Sequence, residues 1–238
     1  MLNINTTQKL RKNYSMKKII IIGCEAGAKT LFGYLSTDDR YEVVAFSVDK
    51  EFISTDKLFD LPVIPIENLV SEYSPSDFSI VIGLGYKHLN AYRTTMFNRL
   101  KDMGYIIETY IHPSAIILNN NQIGEGSMIF AGVIIEPFSR IGNNTFVWAN
   151  SVIAHNAEVG DNCWIASKAI ISGNAKVLGN TFIGVNSTIT NHVIVAENNI
   201  IGAATLISKC TQANEVYLSR NGEKHRFEAM DYAKYYLN

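Results

Sequence analysis

No stretch of this 238-residue chain is apolar for long enough to cross a bilayer as a helix. The most continuous apolar run near the start, Ile19–Ile22, is far shorter than the core of a secretory signal, so a cytoplasmic protein with no membrane partner is expected. Charge is sparse as well, at 18% of residues, and nearly balanced at a formal −1. That balance offers no general attraction for nucleic acid or anionic lipid, so any anionic ligand has to be held locally. Cysteine is scarce. Cys24, Cys163 and Cys210 are odd in number, widely spaced and without a CxxC, which fits reduced, packed thiols rather than disulfides or zinc. No zinc cluster, P-loop or nucleophile triad is visible, and no metal is expected.

What the chain does have is a rhythm. From Ile111 to Ile207 every sixth residue is Ile or Val without a miss, and two positions earlier the side chain is usually small, as at Ser127, Thr145, Ser151, Ala157 and Cys163. Short strands wound into a triangular prism meet this pattern: each hexad is one wall, three make a coil, and the aliphatics point inward and stack from coil to coil. β-Branched side chains suit such a pleated stack. Gly124, Gly142 and Gly160 recur every eighteen residues, and Gly184 and Gly202 repeat the interval one hexad out of phase, which suggests glycines at tight corners. These residues resemble the hexapeptide-repeat, or isoleucine-patch, transferases. The resemblance implies a left-handed parallel β-helix over residues 111–209, against the usual crossover rule.

The first half alternates strand and helix patterns instead. Residues 1–15 are polar and aperiodic and read as a flexible leader, and residues 210–238 as a C-terminal tail. Between them, residues 16–110 make an α/β Rossmann-like domain. Buried strands are expected at Lys17–Ile22, Tyr41–Val48 and Ser79–Gly83, an edge-like strand between the prolines of Leu61–Pro65, and helices at Ala28–Leu35 and His88–Met103. The second helix would bury Leu89, Tyr92, Met96 and Leu100 and end before Gly104. Ligands favour the carboxyl ends of such strands. There Gly23 opens one loop, Gly85 another, and Asp49 is placed to touch a ribose hydroxyl. The first loop lacks a full GxGxxG and carries Glu25, which argues against a dinucleotide cofactor.

A small Rossmann-like domain followed by a left-handed helix resembles the sugar acyltransferases related to sialic-acid O-acetyltransferases and to N-acetyltransferases of nucleotide-linked 4-amino sugars. The resemblance runs from Lys17 to about Lys209. It implies acetyl-CoA as donor, a nucleotide-sugar held partly by the first domain, and a homotrimer with its active site between two chains. It implies His155 as general base and the Gly173 N–H as oxyanion donor, with Gly173, Gly184, Gly202 and Ala203 along the acyl-CoA groove. Its nucleotide pocket corresponds to Ile82–Arg93, where Tyr86 would stack on a base and Lys87 or Arg93 meet a diphosphate.

Blander readings stand beside these. His155 suits a surface or trimer contact, Gly173 a mere corner, and Asn90 and Arg93 the exposed face of a solvated helix start. His112 and His192 read as structural. Two departures from the family pattern matter: Asn156 replaces the acidic residue after the histidine, and the usual proline-containing closing loop is absent. Trp148 and Trp164 occupy outward-capable positions, suited to an apolar wall beside a deoxysugar or to trimer packing. The function expected is acetyl-CoA-dependent N-acetylation of a nucleotide-linked amino-deoxysugar. O-Acetylation of a sugar uses the same residues, and a noncatalytic trimeric scaffold that binds nucleotide-sugar is the alternative of another class.

Overall fold

The computed structural model describes residues 16–236, so the expected leader lies outside the described residues. The first domain is built on strands β1 (Lys17–Ile22), β2 (Tyr41–Val48), β3 (Lys57–Leu58), β4 (Leu61–Pro65) and β5 (Ser79–Ile82), in the order β3-β4-β2-β1-β5. All pairs are parallel except β3 with β4. β4 is therefore not an edge: the two-residue β3 covers it, pairing across Lys57–Pro62 and Leu58–Leu61. Helix α1 (Ala26–Leu35) follows β1, a single turn α2 (Leu69–Glu72) follows β4, and α3 (Ala91–Asp102) follows β5.

The start of α3 differs from the periodicity. His88, Leu89 and Asn90 all take left-handed φ, between 50° and 67°, so the helix begins at Ala91. Its buried face is then Arg93, Met96 and Leu100, while Tyr92 points to solvent.

From Tyr110 onward the chain forms parallel sheets of two-residue strands, with seven, five and six strands, an arrangement typical of a left-handed β-helix. The first residue of each strand faces out and the second faces in. From Ile129 to Ile207 the inward column is buried throughout, while Ile111, Ile117 and Ile123 of the first coil are only partly covered. The small residues two positions earlier bridge coils through their hydroxyls. Ser127, Ser151 and Ser187 donate to the carbonyls of Gly142, Ala166 and Gly202 at 2.6, 2.9 and 2.7 Å. Cys163 takes such a place, and burial pushes its thiol up to about 12. Cys24 is half-buried and Cys210 exposed, so the three thiols are free but not all packed.

The glycines expected at the corners do not turn them, although Gly126 and Gly132 do, at φ 69° and 67°. Left-handed φ falls instead on every sixth residue from Asn120 to Ala204, nine of these fifteen being asparagine, whose short amide tolerates that conformation. Gly124, Gly142, Gly160, Gly184 and Gly202 have ordinary φ. They stand where a coil presses on the next, and a Cβ at Gly184 would lie 2.6 Å from the Ala203 nitrogen. The prism also continues past residue 209, adding Val216–Tyr217 to one sheet before helix α4 (Ala229–Tyr236) ends the described chain. No helix among the described residues is long and apolar enough to cross a membrane.

The inward column tolerates no charge. Ile165→Asp should abolish cooperative folding, because a carboxylate stranded in the dry stack costs several kcal/mol, comparable to the stability of a whole domain. A soluble variant with a cooperative thermal transition would show that Ile165 does not point inward.

Candidate active site

The outward residues give the three walls different chemistry. One ladder is Tyr110, Met128, Phe146, Trp164, Phe182, Ile200 and Val216. A second is Ile116, Ile134, Val152, Ile170, Thr188 and Leu206. The third is Gln122, Arg140, Glu158, Lys176 and Ile194, with an exposed Lys176–Glu158 ion pair at 3.1 Å.

The aromatic wall carries the first domain. Tyr110, Met128, Phe146 and Trp164 share a buried cluster with Ala28, Leu31, Leu35, Tyr41 and Phe46. Arg93 is the centre of this seam. It is wholly buried, and its guanidinium donates to Asn144 Oδ1 at 3.3 Å and to the carbonyls of Asn144 and Cys163, each at 3.1 Å, while lying 4.4 Å from the centre of the Phe146 ring. Burial lowers its pKa to about 9, which leaves it charged at neutral pH. It can therefore neither meet a diphosphate nor sit on a solvated face. Asn90 is buried beside it in sequence, with neither amide atom hydrogen-bonded. The tryptophans belong to the same seam: Trp164 is buried, and Trp148 stacks on Phe130 at 4.2 Å with its indole N–H enclosed and without a protein acceptor. Trp164 is thus covered by the chain's own first domain and is no trimer surface.

At the carboxyl ends of β1 and β5 the expected loops meet. Gly23, at φ 111°, lies against Leu84 and the Gly83 carbonyl, beside the point where strand order reverses between β1 and β5. Gly85, Tyr86 and Lys87 are exposed in the second loop, and Tyr86 reaches the prism, with ring centres 5.0 Å from Trp164 and 4.8 Å from Phe182. Asp49 ends β2, but Arg99 of α3 donates to its carboxylate, and the pair lines an open depression of about 520 Å³ with Lys50, Glu51 and Glu67.

His155 and Gly173 stand one coil apart at the edge between the aliphatic and charged walls. They touch. A Cβ on Gly173 would lie 2.6 Å from both Cε1 and Nε2 of His155, so only glycine lets the imidazole rest there. The Gly173 N–H has no acceptor among the described residues. Two residues hold the histidine. Asn156 places its amide 3.1 Å from Nδ1, and the Glu136 carboxylate accepts the His155 backbone N–H at 2.8 Å. Glu136 escaped the sequence reading, although it lies one coil before Ala154 and was findable from the eighteen-residue interval. Gly184, Gly202 and Ala203 form a side-chain-poor run along a different edge, between the aromatic and aliphatic walls. His112 pairs with the Ser114 hydroxyl at 2.8 Å at the domain junction, and His192 donates its backbone N–H to the Gly173 carbonyl at 3.2 Å.

Three walls of two-residue strands joined to a small α/β domain define a two-domain hexapeptide-repeat protein. The bacterial transferase hexapeptide (six repeats) family matches at residues 122–155 and 138–173. The fold is that of the acetyltransferase domain of PglB from Neisseria gonorrhoeae, at 20% identity and TM-score 0.77, covering 84% of this chain and 95% of that one. A histidine-to-asparagine mutant of perosamine N-acetyltransferase from Caulobacter crescentus, in complex with CoA and GDP-perosamine, is similar at 22% identity and TM-score 0.76, covering 85% and 93%. WeeI from Acinetobacter baumannii is similar at 20% identity and TM-score 0.75, covering 85% and 96%. The PglB domain also has a structure in complex with acetyl coenzyme A. No curated protein matches by sequence. The hexapeptide-repeat model thus covers residues 122–173 of the prism, and the two-domain fold as a whole is structurally like that of the PglB acetyltransferase domain, perosamine N-acetyltransferase and WeeI.

The seam yields a stability test. Arg93→Met should lower the unfolding free energy by roughly 2–4 kcal/mol, since two buried carbonyls lose a charged donor. Arg93→Lys should recover less than half, because an ammonium lacks the planar fork. Chemical denaturation measures both, and a neutral Arg93→Met would refute the clamp.

Proposed function

We propose that this protein is an acetyl-CoA-dependent N-acetyltransferase acting on a nucleotide-linked amino-deoxysugar. The observation that carries the reading is the His155 imidazole lying on Gly173, whose N–H is unpaired. A base and an anion donor side by side are what acyl transfer from a thioester requires. The amine attacks the thioester carbonyl, Nε2 of His155 takes the amine's proton, and the oxyanion accepts a hydrogen bond from Gly173. Collapse of the tetrahedral intermediate expels CoA thiolate, which needs little help to leave. For Nε2 to be the base, Nδ1 must carry the ring proton; the structure places Asn156 Nδ2 at 3.1 Å from Nδ1, so this role requires the Asn156 amide flipped to present Oδ1 as acceptor. In this reading Asn156 orients the imidazole by a neutral hydrogen bond where the family pattern has a carboxylate.

The donor and acceptor assignments follow the complexes of the similar proteins, with acetyl coenzyme A in PglB and with CoA and GDP-perosamine in the Caulobacter enzyme. On the edge bearing Gly184, Gly202 and Ala203, Gly184 is buried against the next coil and Ala203 is exposed, so an acyl-CoA chain running there would meet Ala203 and the half-buried Gly202 and not Gly184. The loops around Gly23 and Gly85 to Lys87 are where the nucleotide belongs.

One geometric fact favours a second chain. The edge that carries His155 is the one edge not bordering the aromatic wall, so the first domain of the same chain sits on the opposite side of the prism. The acceptor then comes from the first domain of a neighbour. The aliphatic wall supplies the contact: Ile116, Ile170 and Leu206 are 52%, 40% and 64% exposed, an apolar ladder that three copies cover around a three-fold axis.

His155→Ala should lower turnover by about 10²–10⁴-fold while acetyl-CoA affinity, read by calorimetry, stays near wild type. A variant that keeps more than about a third of its turnover at saturation places the base elsewhere. Sedimentation should show a trimer, and Ile170→Arg should dissociate it, since three like charges meeting in an apolar contact cost several kcal/mol. A wild-type monomer at micromolar concentration would remove the intersubunit site.

A further inference from the structure

The residues at left-handed corners stack in columns, and the column beside His155 is unlike the others. It runs Asn120, Phe138, Asn156, Asn174 and His192, with φ of 64°, 66°, 56°, 59° and 65°. Asparagine is the residue that tolerates this conformation, and a bulky aromatic there is an outlier. Phe138 is moreover 57% exposed, and its ring belongs to none of the buried clusters or ring pairs among the described residues. Strain of this kind collects where a ligand is gripped.

Its position says which ligand. Phe138 lies one coil before Asn156, whose backbone N–H donates to the Pro137 carbonyl at 3.1 Å. The neighbouring Glu136 carboxylate holds the His155 N–H at 2.8 Å. The segment 136–138 is therefore the floor under His155, on the side away from Gly173. In the reading given above, Gly173 and the later coils belong to the thioester, so the acceptor approaches from the earlier coils, over Phe138.

We infer that Phe138 is a specificity-determining contact for the acceptor, its ring packing against the apolar C–H face of the amino-deoxysugar beside the reacting nitrogen. A flat ring favours sugars that present a continuous C–H or methyl surface and disfavours those with a hydroxyl there. This inference rests on the acyl-transfer reading.

Phe138→Asn installs the residue that the column otherwise favours, so the fold should not suffer. We expect the trimer to persist and the melting temperature to rise by about 2–4 °C as the strain is relieved. The Michaelis constant for the acceptor should rise by about tenfold, with that for acetyl-CoA unchanged, and Phe138→Tyr should restore it. The acceptor is the best substrate of the wild type in a panel of nucleotide-linked amino-deoxysugars that includes GDP-perosamine. Wild-type turnover with an unchanged acceptor constant in Phe138→Asn overturns this inference alone. Dissociation of the Phe138→Asn trimer also overturns it, because Phe138 is then a packing contact between copies. No turnover of any panel member by the wild type overturns the acyl-transfer reading and this inference together.

Discussion

From Tyr110 to Ile207 each strand of the prism is held against the strand eighteen positions along, by a parallel hydrogen-bond ladder and an aliphatic stack inside. His155 illustrates the consequence: its carbonyl accepts from Asn174, and its ring rests on Gly173. Two residues with no local relation become a contact pair because the coil is eighteen residues long from Tyr110 to Ile207. A single insertion within such a coil would shift the inward Ile and Val to other faces and separate His155 from Gly173 at once.

Once the inward column is satisfied, each coil is free to differ on its outside, and there the walls part company. An aromatic ladder invites a domain to cover it, and the first domain does so, with Arg93 reaching across to two carbonyls of the prism. The cost of burying a guanidinium without a carboxylate is offset by those acceptors and by the Phe146 ring. The charged ladder stays in water. The aliphatic ladder is left uncovered within one chain, and its neighbouring edge carries His155 and Gly173.

This division of labour explains why the candidate site looks incomplete in a single chain. The loops that suit a nucleotide and the histidine that suits a base are both well formed, yet they lie on opposite sides of one prism. Under the proposed function, bringing acceptor and base together would then depend on assembly of more than one chain.

The inward column, the number of walls, four of the five strands of the first domain and the one-coil spacing of His155 and Gly173 were legible in the sequence, because each depends on a local period that a linear reading counts, whereas the two-residue β3 that covers β4 was not. The corners were misread: Gly124, Gly142, Gly160, Gly184 and Gly202 mark coil-to-coil contact, while asparagine takes most of the left-handed corners and glycine only those at Gly126 and Gly132. The start of α3, the burial of Arg93 and the covering of Trp164 were not legible at all. Arg93 meets partners 51 and 70 residues away, and no periodicity distinguishes a basic residue facing a diphosphate from one facing another domain. Which outward ladder is covered, and by what, is decided by long-range docking, and only the tertiary structure records that outcome.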